Sequence, residues 1–355
     1  MEKNIISNDN INNVINIKTQ KQFNFGLAIL KLILALDVIL PHNFDKNTTK
    51  NKILLFIVRR RKLHVPSFFI MSFYFMYNDL IKLDIKKIKN RLERLIIPYI
   101  GWAFNIWILN KFLEFFFKVR YHTTLKDLIN QLLWGNIFII QFWFQWDLIF
   151  ITLLFIIIIF FIRNNYKFVF LLLANFAYIL QYSGYNKKLY NYLSSEKREC
   201  LSRLSIMIPY AVSGFILSFF KIISVLKKYS IFTFILSLSM FIFLGKYNIF
   251  LHLYDIPYSG IEYNIRSIFL IFIFSVIPFE KIENKLIISI LKYITNYTAG
   301  IFYLHWSITI YLKNFVRPIK QKTFFGCIII YILCYIISSI GISQLGKTKF
   351  RYLFS

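Results

Sequence analysis

Apolar stretches of about 17 to 25 residues recur along the chain, separated by short polar connectors, and each is long enough to cross a hydrocarbon core of roughly 30 Å as a helix. The runs fall at 25 to 41, 65 to 81, 95 to 117, 143 to 162, 166 to 182, 203 to 220, 229 to 244, 265 to 279, 287 to 312 and 324 to 345. They are continuous and do not alternate, so a β-barrel is disfavoured. The pattern predicts an all-α, polytopic membrane helix bundle with about ten transmembrane helices. Two apolar pieces are too short to cross. Residues 131 to 141 read as a re-entrant or interfacial segment, and ILLFIVRRRK at 53 to 62 reads as an amphipathic surface helix ending in four bases. Residues 1–22 form a polar tail without the features of a cleaved secretory signal, residues 23–345 form the transmembrane domain, and residues 346–355 form a basic tail.

Composition agrees with the periodicity. Of the 355 residues 57% are hydrophobic and 20% aromatic. The 43 Lys and Arg outnumber the 16 acids to give a net charge of +27, which in a soluble chain would suggest nucleic acid. Here the bases lie in connectors between apolar runs, so the expected partners are anionic membrane lipids or an anionic ligand, and no nucleic acid. On these spans each side of the membrane carries about 20 Lys and Arg, and the positive-inside rule decides no orientation. Cys200, Cys327 and Cys334 are scattered, with neither metal-ligand spacing nor a disulfide framework. No metal is expected.

Ionisable groups within apolar runs are the candidates for chemistry, because burying them in a membrane is costly. In FGLAILKLILALDVILPHNF, Lys31 and His42 are eleven residues apart. On a continuous helix they lie within about 20° of one face and about 16 Å apart along the axis, with Asp37 about 120° away. Pro41 disfavours helical geometry at Leu40, so the helix either continues to His42 or ends before it. His42 accordingly reads as a pocket group or as an interfacial histidine, and Lys31 as a buried cation or a snorkelling base. In IKKIKNRLERLIIPYIGW, Arg91 and Arg94 would share a helix face and grip a phosphate through their planar forks, or else lie in a solvated basic loop. Phe142, Trp143, Phe144 and Trp146 flank Asp147 in QFWFQWDL, which by itself reads as an interfacial aromatic belt. Tyr303 and His305 stand inside the apolar TNYTAGIFYLHW.

Taken together and in order, these pieces resemble the acyltransferase 3 family of membrane-bound acyltransferases, which includes bacterial O-acetyltransferases of surface polysaccharides. The family's base, ten residues and a histidine are matched by Lys31 and His42. Its VPLFFxxSGY-like segment is matched by VPSFFIMSFYF at 65 to 75, and its RxxR pair before a PY-containing helix by Arg91, Arg94, Pro98 and Tyr99. Its LWFLWAL-like patch is similar to FWFQWDL, its R-x-P-F-x-x-G-like segment to Arg203 through Pro209, Tyr210 and Gly214, and its GIYLxH element to GIFYLHW. Two departures stand out. Phe73 replaces a glycine, which predicts altered packing beside the first helix, and Gln145 and Asp147 enter a patch that is normally more apolar.

The resemblance implies transfer of an acyl group, most often acetyl, from acyl-CoA as co-substrate to a carbohydrate hydroxyl on a surface polysaccharide or lipid-linked glycan. It implies a multi-pass protein of the bacterial inner membrane. His42 would serve as base or acyl carrier, with Lys31 and His305 as further catalytic candidates. Arg91 and Arg94 would hold the coenzyme A phosphates, and Trp143, Trp146, Asp147 and Tyr303 would contact substrate. The rival readings are a glycan or lipid-linked sugar transporter or flippase, an O-antigen polymerase, and an inactive relative. Neither of the first two consumes acyl-CoA.

Overall fold

The computed structural model describes residues 24–43, 63–117, 124–135, 142–182, 195–247, 260–277, 285–295, 298–312, 324–345 and 348–353. The expected surface helix at 53 to 62 lies outside the described residues, as do residues 136–141 of the short segment before the aromatic patch. Among the described residues there are helices and no strand.

The helices are α1 (Phe25–Asn43), α2 (His64–Ile81), α3 (Ile85–Phe117), α4 (Leu125–Trp134), α5 (Trp143–Phe161), α6 (Tyr166–Tyr182), α7 (Ser195–Phe219), α8 (Ile222–Lys228), α9 (Ser230–Tyr247), α10 (Ile261–Val276), α11 (Lys285–Thr295), α12 (Thr298–Leu312) and α13 (Phe324–Leu345). A 3₁₀ helix, Lys349–Leu353, follows.

The count of about ten crossings is not confirmed among the described residues. Among the described residues four helices are long and apolar enough to cross a membrane: Ile85–Phe116, Trp143–Phe161, Lys197–Phe219 and Phe325–Leu345. A fifth arises only if α8 and α9, which meet at 114°, make one broken crossing. A hydropathy run does not register breaks in the backbone. The run at 287 to 312 is divided between α11 and α12, and the 16 residues of α10 reach only about 24 Å. The outward faces are nevertheless apolar. Phe150, Ile157 and Phe160 on α5, Phe168 and Phe176 on α6, Phe232 and Ile235 on α9, and Ile336 and Ile340 on α13 are all exposed. Rows of bare Phe and Ile on several helices suit a hydrocarbon surround, and the chain is an integral membrane protein.

The principal core lies among α1, α2, α5, α6 and α7, where Phe69, Phe73, Phe155, Phe170, Tyr210 and Phe215 pack as buried aromatics. Gly214 permits a close approach in it, since a Cβ there would collide with the backbone carbonyl of Ile70 on α2. Phe73 belongs to this same core, which also holds Leu27, Leu30 and Leu34 of α1. Its ring lies 5.0 Å from Phe155 and 6.4 Å from Phe69, so the missing glycine is filled by contacts with α5 and within α2. A second cluster joins α1, α12 and α13, and a third joins α3, α4 and Tyr303. α1 thereby stands between two packed groups of helices.

Two ends matter for the site. α3 has 33 residues, about 50 Å, so its first turns project beyond an apolar core of about 30 Å. The basic cluster Lys86 to Arg94 is therefore the start of this helix and not a loop. Asp84 accepts from the Lys87 backbone amide at 3.1 Å and caps it, and the bonds from Lys87 hold the Asp84 carboxyl below the usual range. α4 starts at a capping box in which Thr124 accepts from the Asp127 amide while Asp127 accepts from that of Thr124. It ends at Gly135 with φ of 80°, a left-handed turn that a side chain would strain.

Candidate active site

Pro41 does not interrupt α1, which runs on to Asn43. Lys31 and His42 thus belong to one helix, with the face relation and the separation of about 16 Å that a regular helix gives. The His42 side chain lies outside the described residues. Lys31 is half-buried, and its Nζ lies 4.9 Å from the ring centre of Phe75 on α2.

Lys31 points to a cavity of about 320 Å³ formed where α1, α2, α3, α5 and α12 meet. Its polar lining is Lys31, Ser72, Arg91, Arg94, Thr298 and Tyr303, and its apolar wall includes Phe68, Phe75, Leu95 and Phe144. Each helix delivers its group by simple periodicity. Arg91, Arg94 and Leu95 recur at three and four residues on α3, while Phe68, Met71, Ser72 and Phe75 do so on α2. The Ser72 hydroxyl accepts from Arg91 Nη2, which aims that guanidinium inward. Three cations line the cavity and, among its described lining residues, no carboxylate does. Like charges gathered beside apolar walls are unfavourable unless a counter-charge joins them, so the cavity is built for an anion.

The aromatic patch is positioned by polar bonds that sequence reasoning left unassigned. Asp147 is fully buried, with Oδ2 3.4 Å from Arg203 Nε. Arg203 also donates to the Trp134 carbonyl at 2.7 Å and reaches Glu199 at 3.3 Å. Gln145 donates to the Leu95 carbonyl, fixing α5 to α3 beside Arg91 and Arg94. Both polar departures in the patch therefore bind one helix to another. Trp143 lies 6.0 Å from the Arg203 guanidinium, and Trp146 stacks on Phe150 at 5.2 Å. Of the patch, Phe144 lines the cavity, and Trp143, Trp146 and Asp147 stand behind it.

Tyr303 lines the cavity, and its ring lies 6.2 Å from Phe142. His305, two residues on and so about 200° round the helix, faces elsewhere. It is fully buried, with Nδ1 3.2 Å from the Ile301 carbonyl. Of the residues singled out in the sequence, the fold brings Lys31, Arg91, Arg94 and Tyr303 into one cavity. Ser72, Phe75, Phe144 and Thr298 join them. Ser72 was legible as part of VPSFFIMSFYF, whereas Thr298 carries no sequence signal that separates it from neighbouring polar positions.

One further buried pair lies along α1. Asp37 Oδ2 is 3.2 Å from His64 Nδ1 at the start of α2, and both residues are buried. Among the described residues no group of three or more His, Cys, Asp or Glu is placed to hold a metal ion.

No curated protein and no solved structure matches the chain. The family model of the acyltransferase domain matches residues 24–343, which contain every residue of the cavity. The order of motifs, the all-helical membrane fold and this match together establish that the chain belongs to the acyltransferase 3 family.

Proposed function

We propose that this membrane acyltransferase transfers an acyl group, in the first instance acetyl, from acyl-CoA to a hydroxyl of a surface polysaccharide or lipid-linked glycan. One observation carries the reading: Lys31, Arg91 and Arg94 converge on a single cavity whose other wall is apolar. Coenzyme A has matching halves, an anionic phosphorylated nucleotide and a long pantetheine arm. Arg91 and Arg94 hold phosphate oxygens through their guanidinium forks. The arm follows the apolar wall formed by Phe68, Phe75 and Phe144.

The reaction needs a base for the attacking hydroxyl and stabilisation of the developing oxyanion. His42 takes the hydroxyl proton as oxygen bonds to the thioester carbonyl carbon. The carbon–sulfur bond then breaks, and the proton passes to the departing coenzyme A thiolate. Alternatively His42 first accepts the acyl group on its imidazole, releasing the thiol, and then yields it to the hydroxyl. Lys31, on one helix face with His42 but about 16 Å from it along the axis, holds an anionic group of the donor alongside Arg91 and Arg94. The donor is supplied from the cytoplasmic side of a bacterial inner membrane, and the glycan is acylated toward the opposite face.

The test is transfer of labelled acetyl from acetyl-CoA to glycan in membranes, with the intact protein and His42→Ala at matched abundance. Label in glycan that disappears in the variant is the expected result. Undiminished transfer by His42→Ala overturns the assignment of His42. No consumption of acetyl-CoA by the intact protein, with a proven acceptor present, favours the transporter.

A further inference from the structure

The 3₁₀ helix Lys349–Leu353 lies against α3 over the turns that carry the arginine pair, and it is fastened there by unrelated contacts. Trp102 Nε1 donates to the Leu353 carbonyl at 2.7 Å. Lys349 Nζ lies 2.6 Å from Glu93 Oε1. Gly101 leaves the space occupied by Leu353, whose side chain would collide with a Cβ at that position. Between these fastenings the Arg94 guanidinium sits 5.5 Å from the ring centre of Tyr352, which is only 8% exposed. The Thr348 amide donates to the Leu345 carbonyl at 2.8 Å, which also ties the start of this segment to the end of α13.

Helix geometry explains why Arg94 is the residue affected. Arg94 and Gly101 are seven positions apart and share a face within about 20°, so the face that meets Leu353 is the one that bears Arg94. Arg91 lies about 60° round, on the side that meets Ser72. Arg94 therefore stands on the border between the docked segment and the cavity. Arg94 is exposed, and a long side chain there has many rotamers to lose on binding an anion. A ring against the guanidinium removes most of them beforehand and leaves hydrogen-bond donors available to phosphate oxygens.

From this arrangement we infer that Lys349–Leu353 is a clasp on α3 and that Tyr352 is a positioning residue, holding Arg94 ready for an anion in the cavity. The inference rests on reading the cavity as an acyl-CoA phosphate site. It makes affinity for the donor depend on a segment that, among its described residues, contributes no lining to the cavity.

The experiment measures binding of coenzyme A and of inorganic pyrophosphate to the purified full chain in detergent by calorimetry, alongside KM and kcat for acetyl-CoA. Tyr352→Ala should weaken binding of both probes roughly fivefold to tenfold and raise KM with kcat little changed, whereas Tyr352→Phe, which keeps the ring, should retain affinity. In an Arg94→Ala background Tyr352→Ala should add no further loss, a non-additivity that general destabilisation does not produce. If Tyr352→Ala does not fold, Lys349→Glu tests the same clasp. It should weaken binding, and Glu93→Lys added to it should restore affinity. Unchanged affinity in Tyr352→Ala, or an equal loss with and without Arg94, overturns the clasp. A chain that binds pyrophosphate but not coenzyme A overturns the acyl-CoA reading while the clasp is still scored on pyrophosphate. A chain that binds neither overturns both.

Discussion

Arg91 Nη2 donates to Ser72 Oγ at 2.5 Å, joining the first turns of α3 to the middle of α2 at the cavity wall. The bond restrains a half-buried guanidinium whose neighbours in the cavity are two further cations. Ser72→Ala removes the acceptor and leaves Arg91 free to turn away. Hydrogen bonds to charged groups contribute about 1.5–3 kcal/mol, so the KM for acetyl-CoA should rise roughly tenfold or more. Kinetics at saturating acceptor check this, and kcat should change much less.

The arginine pair is expected to tolerate lysine poorly. Lysine keeps the charge but loses the fork that engages two phosphate oxygens at once, so Arg91→Lys and Arg94→Lys should each weaken donor binding by roughly 1–2 kcal/mol. Arg91→Ala with Arg94→Ala should raise the KM for acetyl-CoA more than it alters that for the glycan. Initial rates with one substrate varied at a time separate the two.

Breaking the buried pair of Asp147 and Arg203 should destabilise the fold. Arg203→Ala strands the buried Asp147 carboxylate at a cost of about 3–5 kcal/mol, whereas Asp147→Ala leaves Arg203 its contacts with Glu199 and the Trp134 carbonyl and should cost less. Asp147→Leu combined with Arg203→Met should be milder than Arg203→Ala, because no buried charge is left without its partner and the Glu199 carboxylate that loses Arg203 is exposed. Unfolding in detergent, followed by helical circular dichroism, provides the comparison.

The bond between Asp37 and His64 should show an asymmetry. His64→Ala leaves a carboxylate in an apolar surround, whereas Asp37→Ala leaves an imidazole that is stable as a neutral group. His64→Ala is therefore expected to be the more destabilising, with Asp37→Ala costing about 1.5–3 kcal/mol. A double-mutant cycle on unfolding midpoints reads both the order and the coupling.

Gly214→Ala should be disproportionately harmful for a single methyl group. The added Cβ meets the Ile70 backbone carbonyl, which no rotamer change can move, so α2 and α7 must separate at the core. Overpacking of this kind costs about 1–3 kcal/mol. Lower folded yield than Gly245→Ala, where the nearest group is the Arg266 side chain, would be the sign of it.

Much of this molecule was legible in its residues, unevenly. Helical segments around 143 to 162, 166 to 182 and 324 to 345 follow from uninterrupted apolar runs, and the observed helices differ from them by a residue or so. The breaks were not legible. Nothing in an apolar run distinguishes Lys285–Thr295 and Thr298–Leu312 from one longer helix, and the 114° bend between α8 and α9 is likewise silent in hydropathy. At Pro41 the sequence left two readings open, and the fold overrode the local preference against helix and carried α1 on to Asn43.

By itself the sequence determined that the chain is helical and membrane-bound, that Lys31 and His42 share a face, and that Arg91 and Arg94 form a pair. These are matters of composition and of the helical period, which act over a few turns. Tertiary structure alone decided which of those groups meet. It joined Lys31, Ser72, Arg91, Arg94 and Tyr303 at one cavity, assigned Asp147 to Arg203 and Asp37 to His64, and laid Tyr352 against Arg94 from the far end of the chain. Such meetings depend on how helices pack, and packing follows the joint shape of many side chains that no local pattern encodes.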